Sequence, residues 1–236
     1  MVRGFLSWLV FLVVTPLCAI PGAIVSSFNG DSHGTMRAGR AWARAMLWVT
    51  GTRVVYRNLD RLTSNQPCIY VVNHESYLDV WVLLRVLPLT TRFVAKASLF
   101  RVPAMGWAMR AAGFIPIDRG NRNRAIRSLD TAIERIKAGR NVLLFPEGTR
   151  SRSGELQPFK KGPFHLAMRA GVSVVPVVIH GTHRIMRPGT WKVRSGVATV
   201  QVLEPVDISS FDADGHNGLR KSVRAQFVDA LADVAG

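Results

Sequence analysis

The sequence predicts an α/β fold with a mixed, mostly parallel sheet flanked by helices, preceded by an N-terminal membrane-binding helical segment. After about residue 52, short apolar strand candidates alternate with helical candidates, which is typical of this class. No charged residue lies between Arg3 and Asp31. We therefore divide the chain into a membrane-anchoring segment at 1–50 and one domain at 51–236, whose roughly 185 residues are enough for a single core.

The first candidate element is the apolar run that begins at Phe5 and continues to Val14. A membrane-spanning helix needs about 20 apolar residues, and the uncharged stretch is long enough. Pro16 and Pro21 interrupt it, however, and favour a kink or a break. Three interpretations follow: a kinked transmembrane helix, a hairpin that enters one leaflet, and a cleaved signal peptide. The last is the least favoured, because no Ala-x-Ala-like site follows the run.

The second candidate element is a basic amphipathic helix at 36–49. Arg37, Arg40 and Arg44 share one helical face at spacings of three and four. The apolar residues of the opposite face are Ala38, Trp42, Ala45, Met46 and Val49. This pattern is typical of a helix that lies in a membrane interface. The alternative is that the apolar face packs on the protein's own core.

The remaining elements are read from apolar periodicity. Strand candidates lie at 53–56, 68–73, 92–95, 114–117, 142–145, 172–179 and 197–203. Helical candidates lie at 77–86, 103–112, 122–138, 163–170 and 217–234. The sequence shows neither an internal repeat nor a low-complexity linker.

Composition narrows the function classes. The chain carries 31 Lys and Arg against 15 Asp and Glu, a net charge of +16, and is 48% hydrophobic. No zinc, RNA-recognition or helix-turn-helix signature accompanies the charge, so we expect an anionic membrane surface as partner and no nucleic acid. Cys18 and Cys68 are too few for a disulfide framework, and His180 with His183 lacks a third ligand, so we expect no metal. The chain has no Walker or Gly-x-Gly-x-x-Gly loop, so we expect neither nucleotide hydrolysis nor dinucleotide chemistry.

The residues 73–79, Asn-His-Glu-Ser-Tyr-Leu-Asp, place an imidazole and a carboxylate five positions apart at the end of an apolar strand. Neither a helix nor a strand brings His74 to Asp79, but a strand that ends near Asn73 and a helix that begins near Ser76 do. A neutral His is suited to be a general base, and a carboxylate on its other nitrogen fixes the tautomer. Ser76 with Asp79 also fits a capping box, so an Asp79 that only caps the helix is the alternative.

The residues 145–151, Phe-Pro-Glu-Gly-Thr-Arg-Ser, end another apolar strand with a Gly turn, a carboxylate and a guanidinium. Gly148 allows backbone N–H groups to approach an anion, and Arg150 offers a rigid fork for phosphate. Arg119 likewise follows an apolar strand, and we interpret both arginines as functional. The basic residues between 119 and 161 are Arg119, Arg122, Arg124, Arg127, Arg150, Arg152, Lys160 and Lys161. We interpret Arg122, Arg124 and Arg127 as a solvated helix face.

Four blocks in order resemble the 1-acyl-sn-glycerol-3-phosphate acyltransferases: 73–79, 113–119 (Gly-Phe-Ile-Pro-Ile-Asp-Arg), 145–151 and 174–177 (Val-Val-Pro-Val). The resemblance covers about residues 40–210 and makes 51–236 the acyltransferase domain. It implies that His74 is the catalytic base and that Asp79 orients it. It implies acceptor binding by Arg119, Glu147, Gly148, Thr149 and Arg150, with Lys96 as a further phosphate ligand. The fourth block, around Pro176, is associated with the acyl donor.

The reaction implied by the resemblance is transfer of a fatty acyl group to the sn-2 hydroxyl of lysophosphatidic acid, which gives phosphatidic acid. Acyl-CoA or acyl carrier protein is the donor substrate, and no cofactor is expected. The chain has no Gly-x-Ser-x-Gly elbow, which favours direct transfer without an acyl-enzyme. The expected location is the cytoplasmic face of the cell membrane. Two alternatives stay open: another lysolipid acceptor, such as a lyso-ornithine lipid or a lysophospholipid, and a non-catalytic protein that binds anionic membranes.

Overall fold

A computed structural model of the chain describes residues 2–29, 31–62, 66–118, 120–190, 192–212 and 215–235. The strands in this part of the chain form one sheet. They are β1 (Thr52–Arg57), β2 (Ile69–Val72), β3 (Thr91–Lys96), β4 (Ile115–Ile117), β5 (Asn141–Leu144), β6 (Val174–His180) and β7 (Gly196–Val202). The predicted strands agree with these to within two residues at each end.

The order of the strands across the sheet is β1-β7-β6-β2-β5-β3-β4. β6 and β7 pair antiparallel, and the other neighbouring strands pair parallel. The predicted α/β class with a mixed, mostly parallel sheet is therefore confirmed. The carboxyl ends of β2, β5 and β6 lie at one edge of the sheet, where open α/β sheets bind their ligands.

The helices are α1 (Val2–Asn29), α2 (His33–Val49), α3 (Leu78–Val86), α4 (Met105–Ala111), α5 (Arg122–Lys137), α6 (Gly162–Ala170), α7 (Thr182–Ile185) and α8 (His216–Ala235). Local signals explain where several of them begin and end. The Asn121 side chain accepts the Arg124 amide at the start of α5, and Pro163 stands in the first turn of α6. Gly171, at φ +68°, ends α6 in the left-handed conformation. The four-residue α7 was not predicted, because it is too short to show a period.

Helices cover both faces of the sheet, and a hydrophobic core lies on each side. Alternate residues of β2 point into one core or the other. Tyr70 and Val72 point into the core beneath α2 and α3. Ile69 and Val71 point into the core beneath α5, α6 and α8. Residues of a central strand buried on both faces read as a continuous apolar run, which is why β2 was recognisable in the sequence.

Helix α1 passes through Pro16 and Pro21 without a break. An added Cβ on Gly22 would lie only 2.7 Å from the Cβ of Ala38, so α1 and α2 approach closely at this point. The Thr35 hydroxyl also donates to the Gly22 carbonyl over 2.9 Å. These contacts with α2 hold α1 helical beyond Pro21 and offset the backbone hydrogen bonds that the prolines remove.

One helix among the described residues is long and apolar enough to cross a membrane. Within the segment Arg3–Phe28, a window of 18 residues has a mean hydropathy of 2.3, and 22% of that window is buried against the rest of the chain. Its large exposed side chains are Phe5, Leu6, Leu9, Leu12, Val13, Leu17, Ile20, Ile24, Val25 and Phe28. The predicted N-terminal apolar helix is therefore present, with a wide apolar face toward solvent.

Helix α2 belongs to the core of the sheet domain. Met36, Ala43, Met46, Leu47 and Val49 are buried in the same cluster as the sheet residues above them. The second of the two interpretations of 36–49, packing on the protein's own core, is thus the one that the structure favours. Helix α2 therefore packs with the sheet and is not separate from it. The division of the chain into 1–50 and 51–236 stays a prediction.

Candidate active site

The His74 and Asp79 side chains meet in the turn between β2 and α3. Nδ1 of His74 lies 2.7 Å from Oδ2 of Asp79. The Asp79 side chain is fully buried, whereas 13% of the His74 side chain remains accessible. A carboxylate in this position accepts the Nδ1 proton and leaves Nε2 unprotonated, which is the tautomer that a general base needs.

Asp79 also caps the helix. Its Oδ2 accepts the backbone amides of Glu75 and Ser76, over 2.7 and 2.8 Å. The two interpretations of the heptapeptide are therefore compatible, because one carboxylate accepts the imidazole and the helix-terminal amides together. The Thr182 hydroxyl donates to the other oxygen, Oδ1, over 2.6 Å. Four donors thus converge on the buried Asp79 carboxylate and fix its orientation.

A second carboxyl group, that of Glu75, is buried beside the dyad. Burial, followed by the proximity of Asp79, raises the pKa of Glu75 to about 8. Its contacts are long: 3.3 Å to the Asn73 amide nitrogen and 3.4 Å to the Thr182 hydroxyl. The Thr182 hydroxyl has one proton, which it donates to Asp79. A hydrogen bond between Thr182 and Glu75 therefore requires a protonated Glu75, which donates to the Thr182 oxygen. At neutral pH the Glu75 carboxyl is therefore mainly protonated and neutral.

The loop after β5 is fixed directly to the dyad. The Phe145 ring stacks on the His74 imidazole, with centroids 3.9 Å apart and planes inclined by 16°. Oε1 of Glu147 accepts the His74 backbone amide over 2.7 Å, and Oε2 accepts the Gln157 amide over 3.1 Å. The Ser151 amide in turn donates to the His74 carbonyl over 2.7 Å. These contacts join the first and third sequence blocks into one unit around the imidazole.

Glu147 is buried, with both of its carboxylate oxygens accepting backbone amides, and its predicted role in acceptor binding stays a prediction. Burial raises the pKa of Glu147 to about 7, although the two amides that it accepts favour its charged form. Gly148 follows in the left-handed conformation, at φ +77°, and makes the sharp turn that the sequence predicts. A Cβ added there would lie 2.7 Å from Nζ of Lys160, so the Lys160 ammonium lies directly over the turn.

The Arg150 guanidinium lies over an aromatic ring from the first block. Its Cζ is 3.5 Å from the centroid of the Tyr77 ring. Nη1 of Arg150 is buried and has no hydrogen-bond partner among the described residues. The Arg150 guanidinium is thus held against the segment that joins His74 to Asp79.

An open groove continues from the Phe145 ring toward α5. Its walls are mostly apolar, with the Lys160 side chain at its edge, and the residues that line it are Val94, Ile117, Ala125, Leu129, Leu144, Phe145, Pro146, Gly148, Lys160, Gly162 and Pro163. A groove of this composition suits a molecule with an apolar chain and an anionic group.

Comparison with known proteins agrees with this arrangement. The model of the Acyltransferase family matches residues 53–180, more than half of the chain. The chain belongs to the acyltransferase family. Yeast (Saccharomyces cerevisiae) 1-acyl-sn-glycerol-3-phosphate acyltransferase is 37% identical over 174 residues, which are 72% of this chain and 57% of the yeast protein. The human 1-acyl-sn-glycerol-3-phosphate acyltransferase alpha is 31% identical over 97% of this chain and 79% of the human protein.

A solved structure has the same fold as this acyltransferase-family chain. The crystal structure of the 1-acyl-sn-glycerophosphate (LPA) acyltransferase PlsC from Thermotoga maritima superposes with a TM-score of 0.87 at 25% identity. The match covers all of this chain and 95% of the PlsC chain. This chain nevertheless spans less than two thirds of the length of several curated relatives, so their activities bear on it only as proposals.

The structure places most of the predicted site residues around one edge of the sheet. His74, Asp79 and the 147–150 turn are brought together by direct contacts. Thr149 is exposed on that turn, and Lys96 is exposed at the end of β3, opposite Ile117 of β4. Arg119 lies outside the described residues, so its predicted role as a phosphate ligand stays a prediction.

Sequence reasoning missed three residues of the candidate site. Glu75 and Tyr77 stand within the first block, but nothing in their spacing indicates a contact with Thr182 or Arg150. Thr182 is 103 residues from Asp79 and follows β6 in the unpredicted helix α7. Only the three-dimensional position of β6 beside β2 brings its hydroxyl to the dyad.

Proposed function

We propose that this protein transfers a fatty acyl group from an acyl thioester to the sn-2 hydroxyl of 1-acyl-glycerol-3-phosphate, giving phosphatidic acid. The donor is acyl-CoA or acyl carrier protein. The observation that carries the proposal is the 2.7 Å contact between His74 and Asp79 beside the fixed guanidinium of Arg150. An alcohol needs a base, and a phosphate monoester needs a cation at a fixed distance from that base.

In the proposed reaction, Nε2 of His74 removes the proton of the sn-2 hydroxyl as its oxygen attacks the thioester carbonyl carbon. Asp79 stabilises the imidazolium that forms, because its buried charge lies against Nδ1. The tetrahedral intermediate then collapses, the carbon–sulfur bond breaks, and the imidazolium returns the proton to the leaving thiolate. A new ester and a free thiol are formed, and His74 is again neutral.

Direct transfer is proposed because the nearest serine is unsuited to be a nucleophile. Ser76 is fully buried. Its hydroxyl donates to the Met186 carbonyl over 2.6 Å and accepts the Leu78 amide over 3.2 Å. Both contacts hold the turn before α3, and they engage the hydroxyl with the backbone of the protein.

The phosphate of the acceptor is proposed to bind at the 147–150 turn. Arg150 offers an unsatisfied N–H there, and the Lys160 ammonium lies over Gly148. Lys96 and Arg119 are the further ligands that the sequence predicts. An acyl chain of the substrate fits the apolar walls of the groove beside Phe145. Positioning and electrostatic stabilisation then supply the catalysis.

The proposed location is the cytoplasmic face of the cell membrane. The exposed apolar face of α1 supports membrane binding, and Arg37 and Arg44 are exposed on the adjacent α2. A cationic surface next to an apolar helix favours an anionic leaflet. The donors named above are cytosolic thioesters, which places the site on that side.

A transfer assay with product analysis tests the proposed function. Detergent-solubilised protein is incubated with palmitoyl-CoA and lysophosphatidic acid, and the lipid products are identified by mass spectrometry. Phosphatidic acid that carries the new palmitoyl group is the expected product. Parallel reactions contain lyso-ornithine lipid or lysophosphatidylcholine, and faster acylation of either acceptor would replace the proposed substrate. No acylation of any acceptor with CoA or acyl carrier protein donors would contradict the proposal.

A further inference from the structure

The contact between Arg150 and Tyr77 joins the two parts of the site. Tyr77 is the last residue before α3, two positions from Asp79, and Arg150 lies in the turn after β5. Cζ of Arg150 is 3.5 Å from the centre of the Tyr77 ring, which is stacking distance for a guanidinium over an aromatic ring. The cation that is proposed to bind phosphate is thus held by the same segment that carries the catalytic carboxylate.

An aromatic ring holds an arginine in a different way from a carboxylate. A carboxylate would neutralise the guanidinium and occupy the same in-plane N–H groups that a phosphate uses. A ring contacts only the flat face of the guanidinium, so the N–H groups at its edges stay available. No described carboxylate forms an ion pair with Arg150.

The hydrogen bonding of Arg150 leaves one of its nitrogens without a partner among the described residues. Nη1 is buried without a partner among the described residues, and buried N–H groups are normally satisfied. The adjacent Ser151 amide is already used by the His74 carbonyl, so the turn itself is fixed relative to the imidazole. The unsatisfied donor therefore has a defined position with respect to the base.

We infer that Tyr77 is a positioning residue for the acceptor: its ring holds the Arg150 guanidinium in place, with its charge intact, to bind the phosphate group of the substrate. This inference rests on the proposed function and deepens it. The ring itself does not touch the reacting atoms. It fixes the distance between the phosphate and His74, and so selects acceptors that carry a phosphate at that distance from the hydroxyl.

The test compares Tyr77→Leu with Tyr77→Phe. Leucine removes the ring, whereas phenylalanine keeps the stacking surface and removes only the hydroxyl. For Tyr77→Leu we expect the KM for lysophosphatidic acid to rise about 5- to 10-fold, with kcat and the KM for palmitoyl-CoA within about twofold of wild type. Tyr77→Phe is expected to stay within about twofold in all three constants. An unchanged acceptor KM in Tyr77→Leu, or an equal rise in the donor KM, would overturn the inference.

A second pair of variants separates positioning from general damage to the fold. In an Arg150→Ala background, adding Tyr77→Leu is expected to have no further effect on the acceptor KM, because the group that the ring holds is gone. If the two substitutions instead multiply, the ring acts independently of Arg150 and the inference is wrong. Thermal unfolding of Tyr77→Leu and Tyr77→Phe shows whether the leucine variant is folded.

Direct binding of glycerol 3-phosphate distinguishes this inference from the proposed function. Calorimetry is expected to show a Kd that is about 5- to 10-fold weaker in Tyr77→Leu than in wild type, and unchanged in Tyr77→Phe. If the wild type binds glycerol 3-phosphate in this pattern but does not acylate lysophosphatidic acid, the proposed function fails and the inference stands. If the wild type acylates lysophosphatidic acid while Tyr77→Leu retains its KM and Kd, the inference alone fails. A wild type that neither binds glycerol 3-phosphate nor acylates lysophosphatidic acid would overturn both the proposed function and the inference.

Discussion

The Thr182 hydroxyl donates to Oδ1 of Asp79 over 2.6 Å, on the side of the carboxylate away from His74. The bond fixes the plane of the carboxylate and so the orientation of the imidazole. Thr182→Val keeps the shape of the residue and removes the donor. We expect kcat for acyl transfer to fall roughly 10-fold, because the base is less well oriented, with little change in either KM.

Thr182→Ser is the matched control for this prediction, because it retains a hydroxyl at the same position. Steady-state kinetics of the two variants are compared at equal folded fraction, measured by thermal unfolding. Equal losses of kcat in Val and Ser variants would show that the methyl group, and not the hydrogen bond, matters at Thr182.

Glu75 makes the stability of the protein depend on pH. Burial raises the pKa of Glu75 to about 8, above its ordinary value of 4.5, so the folded state retains a proton that the unfolded state loses. The contribution of Glu75 to the free energy of unfolding therefore falls as pH rises from about 4.5 to about 8. Glu75→Gln cannot ionise and is expected to gain stability relative to wild type over this range, on the order of 2–4 kcal/mol.

Urea unfolding of wild type and Glu75→Gln at pH 5 and pH 8 measures this difference. The comparison between the two proteins isolates Glu75, because Glu147, whose pKa burial raises to about 7, titrates in both. A stability difference that is the same at the two pH values would contradict a protonated Glu75 in the folded state.

Gly148 is expected to matter for the acceptor beyond its backbone conformation. Gly148→Ala strains a left-handed turn and displaces the Lys160 ammonium, whose Nζ would lie 2.7 Å from the new Cβ. Gly139 offers a matched control, because its φ is +76° and nothing lies within 4 Å of a Cβ added there. Both alanine variants are expected to lose about 1 kcal/mol of stability, but only Gly148→Ala should raise the acceptor KM, by several-fold. A KM that rises equally in both variants would assign the effect to global destabilisation.

The exposed face of α1 is expected to bind the membrane. Leu17 is 67% exposed on this face, and Leu17→Asp places a charge in it. Val228 on α8 is 45% exposed on the other side of the sheet, so Val228→Asp is the control. We expect the fraction that floats with phosphatidylglycerol vesicles to fall about 10-fold or more for Leu17→Asp alone, because a charge in hydrocarbon costs about 2.5–3.5 kcal/mol. Equal flotation of both variants would remove α1 from the membrane-binding surface.

Much of the fold was predictable because the strands of a sheet covered on both faces read as apolar runs. β2, β5 and β6 are of this kind, and their positions followed from the sequence alone. The N-terminal region was harder, because Pro16 and Pro21 predict a break locally. The close approach of Gly22 to Ala38 on α2 decides against that break, and such a contact between helices has no local signature.

The site residues that are close together in sequence were predictable, and those that come from distant parts of the chain were not. The dyad was predictable because His74 and Asp79 belong to one turn whose geometry follows from a strand that ends and a helix that begins. The partners that complete it come from elsewhere in the chain: Thr182 approaches through β6, and Glu147 turns inward to accept the His74 amide. Spacing in a sequence carries no information on such contacts, since the order of the strands in the sheet determines them.

The proposed acyl transfer depends most directly on His74 as the general base. The decisive measurement is thiol release from palmitoyl-CoA by solubilised protein, with and without lysophosphatidic acid, for wild type, His74→Ala and the control His216→Ala on α8. We expect acceptor-dependent thiol release that falls at least about 100-fold in His74→Ala and is unchanged in His216→Ala. Acceptor-dependent thiol release that survives in His74→Ala would contradict the role of His74 as the base.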